Sequence, residues 1–192
     1  DSVLNSQLPE ANITFNKYFS IAYFIRCGFS KDVNQNGYCH IYKTEKDGDG
    51  WYEPEKVRLF DDTINVGQPF LTQDGKRLYF SSDMPGGFGG MDLYVTHFND
   101  EQWSPPTNLG PRVNTEGNEI FPTFHISDKL YFASDGQLGL GGLDIYYVQK
   151  LEGETFGPVI NMGAPLNSTA DDFSVTLNDN ETFGYFSSDR EG

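Results

Sequence analysis

Two pairs of aspartates bracket glycine-rich segments, and their carboxylates are the strongest candidates for chemistry in the chain. Asp83 and Asp92 flank the first segment, and Asp135 and Asp144 flank the second with the same separation. Carboxylate oxygens around a flexible loop can bind Ca²⁺, although a high-affinity calcium loop uses a denser alternation of acidic ligands. The alternative is that each carboxylate accepts hydrogen bonds from backbone amides of a turn. The sequence favours this capping role and predicts no cofactor, so the four aspartates remain candidate calcium ligands only.

Other constellations that could do chemistry are incomplete. Residues 47–50 resemble the start of an EF-hand loop, but no glutamate stands at the closing position, so a hairpin turn is expected. The glycine-rich residues 86–90 and 139–142 lack the lysine and the following helix of a phosphate-binding loop, and no Gly-x-Ser-x-Gly motif of a hydrolase occurs. The histidines, which stand at unrelated positions of the repeat described next, are His40, His97 and His125. We therefore predict that the protein is not an enzyme.

An internal repeat sets the positions of these residues. The hexapeptide Leu-Tyr-Phe-Ser-Ser-Asp at residues 78–83 returns with small changes at 130–135 and 184–189. A second motif, Gly-Gly-Met-Asp-Leu-Tyr at residues 89–94, returns at 141–146. Self-similarity at a fixed period of this size indicates stacked supersecondary units.

Each repeat unit contains four short extended segments. In the second unit they are residues 68–72, 77–82, 91–98 and 103–109, and the last segment of the third unit is 156–162. Four antiparallel strands in about 50 residues are typical of one propeller blade. We therefore predict an all-β protein, a β-propeller of four-stranded antiparallel blades, with about three blades and half of a fourth.

The repeat also predicts the domain organisation. The predicted parts are an N-terminal extension at 1–11, blade 1 at 12–65, blade 2 at 66–117, blade 3 at 118–170 and the first half of blade 4 at 171–192. Because closed propellers have about four to eight blades, we expect the chain to be a fragment of a longer propeller. In the first unit, residues 31–37 replace the glycine-rich loop and His40 replaces the aspartate, so a ligand shared by all units is not expected.

Prolines and aromatic residues have fixed places in each unit. Because proline cannot donate a hydrogen bond to a β-ladder, the fourth segment, which carries Pro54, Pro105, Pro106 or Pro158, is expected to be the outer edge strand. The aromatic residues just before these prolines, Trp51, Trp103 and Phe156, are expected to pack between neighbouring blades. Tyr42, Tyr94 and Tyr146, at equal steps in the third segment, are also expected to be blade-packing residues. For the rings ahead of the prolines, the alternative is stacking on a ligand.

The chain has two cysteines, both in the first unit. Aligning that unit with the second places Cys27 opposite Asp83 and Cys39 opposite Met91, at the two ends of one hairpin loop. The two sulfurs are therefore expected to face each other across adjacent strands and to form a structural disulfide. Such a bond would indicate an oxidising compartment. The alternative is a pair of free thiols.

Composition and charge exclude several classes of partner. The formal net charge is −15 and the pI is about 4.3, so binding to nucleic acid or to an anionic membrane surface is disfavoured. No stretch approaches the roughly 18 apolar residues that span a bilayer, so no direct membrane insertion is expected. Aromatic content of 15%, with 21 Gly and 10 Pro, fits an all-β protein with many tight turns.

Residues 74–94 resemble the WD-like β-propeller repeat of TolB type. The continuation at 103–110 and 113–119 makes the chain similar to the propeller of OmpA-family, peptidoglycan-associated envelope proteins of bacteria with type IX secretion and gliding machinery. The resemblance implies a non-enzymatic scaffold or protein-interaction module in the periplasm or at the outer membrane, with other envelope proteins as partners. In such proteins a separate OmpA-like domain, absent from this sequence, holds the peptidoglycan.

Two other functions stay open. A carbohydrate-binding or glycoside-cleaving propeller would place an exposed Trp51, Trp103 or Tyr147 beside a pair of carboxylates, because propeller glycosidases take their paired carboxylates from different blades. A non-catalytic propeller of a serine peptidase would require a hydrolase domain elsewhere in a longer chain.

Overall fold

Four antiparallel sheets follow one another along the chain. A computed structural model describes residues 3–28, 37–59 and 61–191. The strands of the first sheet are β1 (Glu10–Phe15), β2 (Ile21–Cys27), β3 (Cys39–Asp47), β4 (Gly50–Trp51) and β5 (Glu55–Lys56). Those of the second are β6 (Val66–Leu71), β7 (Arg77–Ser82), β8 (Asp92–Asn99), β9 (Gln102–Trp103) and β10 (Thr107–Asn108). The third has β11 (Glu119–Phe124), β12 (Lys129–Ser134), β13 (Asp144–Gln149) and β14 (Ile160–Asn161), and the fourth has β15 (Asp172–Leu177) and β16 (Gly184–Ser188). The described residues contain no helix, hence none long and apolar enough to cross a membrane.

The sheets are the blades of a propeller. In the second sheet the order is β6-β7-β8-β10, with β9 also paired to β8, and every neighbouring pair is antiparallel. The first strands of successive sheets contact one another, β1 with β6, β6 with β11 and β11 with β15. Together they line an axial channel of about 190 Å³. The predicted all-β propeller, with three blades and half of a fourth, is therefore confirmed.

The blades are numbered here by their strands: blade 1 is β1–β5, blade 2 is β6–β10, blade 3 is β11–β14 and half-blade 4 is β15–β16. Strand β1 begins at Glu10, so the first sheet takes in two positions, Glu10 and Ala11, that the repeat pattern assigns to the N-terminal extension. The predicted parts also include residues 1–2, 29–36, 60 and 192, which lie outside the described residues.

The repeated hexapeptide forms the second strand of blades 2, 3 and 4. In β7, Leu78, Tyr79 and Phe80 are all fully buried, because neighbouring blades cover both faces of the sheet. This explains why the hexapeptide begins with three consecutive apolar residues rather than with an alternating pattern. In half-blade 4, β16 pairs only with β15 among the described residues, and the side chain of Tyr185 is 73% exposed.

Each innermost strand contains a β-bulge at its third and fourth residues. In β6, Gln68 and Pro69 lie opposite Phe80 alone, because the register shifts there by one residue. Proline is tolerated in the bulge because no ladder hydrogen bond needs its missing N–H. The bulge residues with positive φ are Asn12 (50°), Gln68 (43°), Phe121 (54°) and Ser174 (56°).

The outer edge of each blade differs from the expected continuous strand. Segment 103–109 is split into β9 and β10, and segment 156–162 into a single bridge at Phe156 and the short β14. In blade 1 the edge is likewise divided between β4 and β5. The prolines lie in or beside the gaps, and they divide the edge because they have no N–H to donate.

Candidate functional site

The two glycine-rich loops of blades 2 and 3 lie at the same end of the propeller, and each is held by a buried aspartate. Loop 2 comprises residues 83–91 and loop 3 comprises residues 135–143. Asp92, at the start of β8, accepts hydrogen bonds from the backbone N–H groups of Phe88 (2.6 Å) and Gly89 (3.2 Å) and from Nδ2 of Asn108 (2.7 Å). The Asp92 carboxylate therefore caps two backbone N–H groups of loop 2.

Asp144 holds loop 3 with fewer donors. It accepts hydrogen bonds from the N–H groups of Leu140 (2.6 Å) and Gly141 (3.0 Å), whereas Asn161 donates to the Leu138 carbonyl at 3.3 Å instead of to the carboxylate. Oδ1 of Asp144 and the hydroxyl of Tyr146 are buried and have no hydrogen-bond partner among the described residues. Burial, with the Asp144 carboxylate adding to it, raises the pKa of Tyr146 to about 12.

The other two aspartates of the predicted set stand at the opposite ends of the loops. Asp83 accepts hydrogen bonds from the N–H and Nδ2 of Asn65, both at 2.8 Å. Asp135 accepts the same two bonds from Asn118, at 2.6 and 2.8 Å. No three His, Cys, Asp or Glu side chains in the described part of the chain are grouped so that they could hold a metal ion. All four carboxylates thus make contacts that are typical of backbone caps.

The loops need glycine because they pack closely on two sides. A Cβ on Gly139 would overlap the carboxylate of Asp144 and lie 2.7 Å from the Tyr146 hydroxyl. A Cβ on Gly141 would overlap the carbonyl of Ala170, in the connector that leads to half-blade 4. Loop 3 is therefore fixed between its own aspartate and the next connector, and loop 2 is packed in the same way at Gly87 and Gly89.

These fixed loops carry exposed apolar side chains. Phe88 and Leu140 stand at the same position of the repeat and are 46% and 53% exposed, and Leu138 is 96% exposed. We call this end of blades 2 and 3 the loop face; its members are Phe88, Leu138 and Leu140 with the exposed carboxylates Asp83, Glu116 and Asp135. A rigid backbone that presents apolar groups among acidic ones suits the docking of another protein.

A further set of acidic residues, at the starts of the inner strands, is not identified in the sequence analysis. Glu119, at the start of β11, is fully buried and accepts hydrogen bonds from the Thr115 N–H (2.8 Å), the Thr115 hydroxyl (2.7 Å) and the Ser134 hydroxyl (2.6 Å). Burial raises the pKa of Glu119, although these bonds oppose the shift. Ser168 and Asp172 repeat the arrangement. The available signal was a Ser or Thr four residues before the acidic residue.

The acidic residue meets an arginine in blades 1 and 4. Arg26 Nε donates to Glu10 at 2.9 Å, and Arg190 forms an ion pair with Asp172. Burial alone would raise the pKa of Asp172, but hydrogen bonds from Ser188, Arg190 and Ser168 outweigh it and leave the pKa below its ordinary value. In blade 2 this position is apolar Val66.

Blade 1 has a disulfide at the end of the hairpin where blades 2 and 3 have their glycine-rich loops. Cys27 and Cys39 form the last pair of the β2–β3 ladder and are joined by a bond of 1.98 Å. Of the segment that replaces the glycine-rich loop, residues 31–37, all but Gly37 lie outside the described residues. His40, which takes the place of the aspartate, has a lowered pKa because it is partly buried and close to Lys56.

The aromatic residues singled out in the sequence lie in packed positions. Trp103 of blade 2 contacts Tyr23 of blade 1 with ring centroids 5.9 Å apart, and Phe156 of blade 3 joins the core cluster that contains Tyr79 of blade 2. Trp51, which was expected between blades, contacts Phe15 within blade 1 at 5.9 Å. The three tyrosines stack on phenylalanines of the adjacent strand at 5.9–6.1 Å, in the pairs Phe24–Tyr42, Phe80–Tyr94 and Phe132–Tyr146.

The remaining histidines lie at the other end of the blades. His97 is 3.6 Å from the Glu154 carboxylate, between blades 2 and 3. His125 is 3.1 Å from Glu181 and 3.0 Å from the Asn178 carbonyl, between blade 3 and half-blade 4. His40, His97 and His125 therefore have different neighbours and do not form a common site.

Comparisons with known proteins agree with the fold. No protein-family model and no curated protein matches the chain. TolB from Acinetobacter baumannii has a TM-score of 0.61 at 14% identity over 96% of this chain and 39% of its own. A TolB protein from Agrobacterium tumefaciens has a TM-score of 0.54 at 19% identity, over 83% of this chain and 51% of its own.

A third solved structure shows how widely the architecture is used. A puromycin-hydrolyzing peptidase from Mycobacterium tuberculosis has a TM-score of 0.53 at 14% identity over 95% of this chain, which spans 29% of that enzyme. The chain thus covers about half or less of each of these three proteins. Likeness at such identities concerns the architecture alone. The chain has the fold of a TolB-like β-propeller.

Proposed function

We propose that this chain is a non-enzymatic scaffold and protein-interaction module of a bacterial cell-envelope protein, and that it docks a partner protein on the loop face. The proposal includes the OmpA-family, type IX secretion-associated context that the sequence resemblance implies, with a location in the periplasm or at the outer membrane. Attachment to peptidoglycan would then depend on a separate domain.

One observation carries the proposal. Phe88 and Leu140 occupy equivalent positions of two successive blades, and each donates its backbone N–H at 2.6 Å to a buried aspartate. The backbone that carries these exposed side chains is therefore held in place before any partner binds. A loop that is already ordered loses little backbone entropy on binding, so it is well suited to present the centre of an interface.

The surroundings of these side chains support a protein partner with basic residues. Asp83, Glu116 and Asp135 are exposed beside the loops, and the whole chain carries a net charge of −15. A partner with Lys or Arg around an apolar centre would complement this pattern. The Cys27–Cys39 disulfide supports an oxidising compartment, as the cell envelope provides.

The experiment compares two matched double variants in the bacterial source. Leu138→Ser with Leu140→Ser removes apolar groups from the loop face, whereas Ile126→Ser with Leu151→Ser removes two other exposed apolar groups from the opposite end. Each protein is expressed in place of the native one, cross-linked in cells and isolated with its envelope partners, which are quantified by mass spectrometry.

We expect the loop-face variant to lose about tenfold of the specific partner that the wild type retains, as is usual when the apolar centre of an interface is removed. The opposite-end variant should retain it. Equal recovery of the same envelope proteins with all three chains would contradict the proposal.

A further inference from the structure

A crevice of about 310 Å³ lies between blades 1 and 2, at the end opposite to the loop face. Its wall contains four aromatic side chains together with both charged and amide groups. The residues that matter for its chemistry are Tyr18, Tyr23, Phe98, Trp103, Lys43 and Lys76. Tyr18 is 79% exposed, and Trp103 contacts Tyr23 at 5.9 Å and Phe98 at 5.1 Å, in both cases edge to face.

The same place between blades 2 and 3 is filled by the chain itself. There the ring of Phe124, the last residue of β11, stacks on Tyr79 with centroids 5.2 Å apart and planes only 4° from parallel. The guanidinium of Arg77 lies over the Phe124 ring, 4.7 Å from its centroid. Tyr79 is completely buried as a result.

Smaller residues take both of these positions at the junction of blades 1 and 2. Leu71, the last residue of β6, corresponds to Phe124, and Ile21, the first residue of β2, corresponds to Arg77. Leu71 and Ile21 are both aliphatic, so neither has a planar group that could stack on Tyr23. The difference in side-chain size leaves the crevice between two blades that otherwise pack in the same way.

Polar groups show a second difference between the junctions. Between blades 2 and 3, Glu154 lies 3.6 Å from both Lys150 and His97. In blade 2 the position of Lys150 is taken by Phe98, which pairs with Trp103 across β8 and β9. The crevice between blades 1 and 2 is therefore walled by rings where the other junction has an ionic cluster.

We propose that this crevice binds an aromatic side chain of a partner polypeptide. Apolar cavities of about 150 Å³ accept a benzene ring, so the volume is sufficient. Rings gain from edge-to-face and offset contacts with other rings, and Tyr18, Phe98 and Trp103 offer them. Lys43 is paired with Glu45 at 2.6 Å, and Asp74 lies beside Lys76 in the same turn, so the charges at the rim are mixed and favour a neutral group. This second binding site does not depend on the loop face.

The test uses N-acetyl-L-phenylalaninamide as the probe and Trp103 as the reporter. Trp51→Phe leaves Trp103 as the only tryptophan, so its indole signal in NMR spectra and its fluorescence report on the crevice alone. N-acetyl-L-leucinamide, which lacks the ring, and methyl β-D-glucoside are titrated in parallel. We expect saturable binding of the aromatic probe with a dissociation constant of about 1–10 mM, as befits a ligand of this size.

Two variants in the Trp51→Phe background separate binding from folding. Leu71→Phe restores the ring that the other junction has and should weaken the probe by about tenfold or more, because the space is then occupied. Tyr18→Ser changes an exposed side chain, cannot disturb the core, and should weaken the probe several-fold, roughly as loss of one aromatic contact does. Leu138→Ser with Leu140→Ser, at the loop face, should leave binding unchanged.

The proposal fails if no probe gives a saturable change at Trp103. It also fails if the leucine probe or the glucoside binds as well as the aromatic probe, since the crevice would then not select a ring. If Leu71→Phe does not fold, Tyr18→Ser decides alone: unchanged affinity in that variant contradicts the proposed site.

Discussion

Blade 1 and blade 3 close the same end of the same hairpin with different chemistry. In blade 1 a disulfide joins Cys27 to Cys39 at the last pair of the ladder. In blade 3 the buried carboxylate of Asp144 accepts two N–H groups of a loop that must be glycine-rich to approach it. A covalent bond imposes no such demand on the loop, so blade 1 can lack both the aspartate and the glycines and still form its sheet. The glycine-rich repeat motif therefore marks one of two ways, an aspartate cap or a disulfide, in which this end of the hairpin is held.

A finer comparison separates blades 2 and 3. Asp92 accepts hydrogen bonds from three donors, and Asn108 supplies the third. In blade 3, Asn161 donates to Leu138 instead, and one oxygen of Asp144 is left without a partner among the described residues. The aspartate of loop 2 thus makes more hydrogen bonds than the aspartate of loop 3.

The largest expected effect is loss of the disulfide. Cys27→Ala with Cys39→Ala should lower the free energy of unfolding by about 3 kcal/mol, because the bond closes a loop with a sequence separation of 12 and no aspartate replaces it in blade 1. Urea unfolding followed by fluorescence measures the change. Wild-type protein under reducing conditions should match the variant; a loss below about 1 kcal/mol would show that blade 1 does not rely on the bond.

The next effect distinguishes the two loop aspartates. Asp92→Ala should cost about 2–3 kcal/mol and Asp144→Ala about 1–2 kcal/mol, because truncating Asp92 leaves more buried donors without an acceptor. The two variants are compared in the same urea titration. A larger cost for Asp144→Ala would reverse the ranking of the two loops that the hydrogen bonds imply.

Glu119 and Asp172, at the starts of two inner strands, should change the stability of the protein with pH in opposite directions. The pKa of Glu119 is raised in the folded state, so its contribution to stability is fully present below its ordinary value of 4.5 and is lost as the pH rises through the folded pKa. The pKa of Asp172 is lowered, so its contribution is present above 3.8 and is lost as the pH falls through the folded pKa.

These signs are measured with Glu119→Gln and Asp172→Asn. Between about pH 3 and pH 7, the stability of wild type relative to Glu119→Gln should fall as the pH rises, whereas its stability relative to Asp172→Asn should increase. Chemical unfolding at several pH values gives both curves. Two curves of the same slope would show that Arg190 does not distinguish the two sites.

The smallest effect is expected at the loop face. Leu138→Ser with Leu140→Ser should change the free energy of unfolding by no more than about 0.5 kcal/mol, because both side chains are exposed. Thermal unfolding of the purified variant checks this. A substantial loss of stability would show that these leucines serve the fold rather than a partner.

The central strands could be predicted from the sequence because their signal is local and repeated. Leu78, Tyr79 and Phe80 are buried because blades cover both faces of their sheet, so the hexapeptide begins with apolar residues, and its repetition is visible by eye. The outer edge was predicted less well. Trp103 and Thr107 were expected in one strand, but Pro105 and Pro106 between them remove two donors and divide it.

Other features depend on contacts between distant parts of the chain. Nothing local marks Phe121 for a positive φ, because that conformation is unusual for an aromatic residue and is set by the register with β12. The burial of Glu119 depends on Thr115 and Ser134 together. The crevice arises only from comparing Leu71 with Phe124 across two junctions, so a single repeat could not reveal it.

The bulges of the inner strands have a consequence for how these strands tolerate change. Beyond the bulge, Phe70 lines the axial channel, whereas Leu71 belongs to the core between blades 1 and 2. Deleting the single residue Gln68 would remove the bulge and still leave Phe70 opposite Tyr79 and Leu71 opposite Leu78, because Gln68 and Pro69 share the place opposite Phe80. The same deletion anywhere else in the strand would move every side chain that follows to the opposite face. The bulge is therefore the one point of each inner strand at which the chain can lose a residue and keep its register.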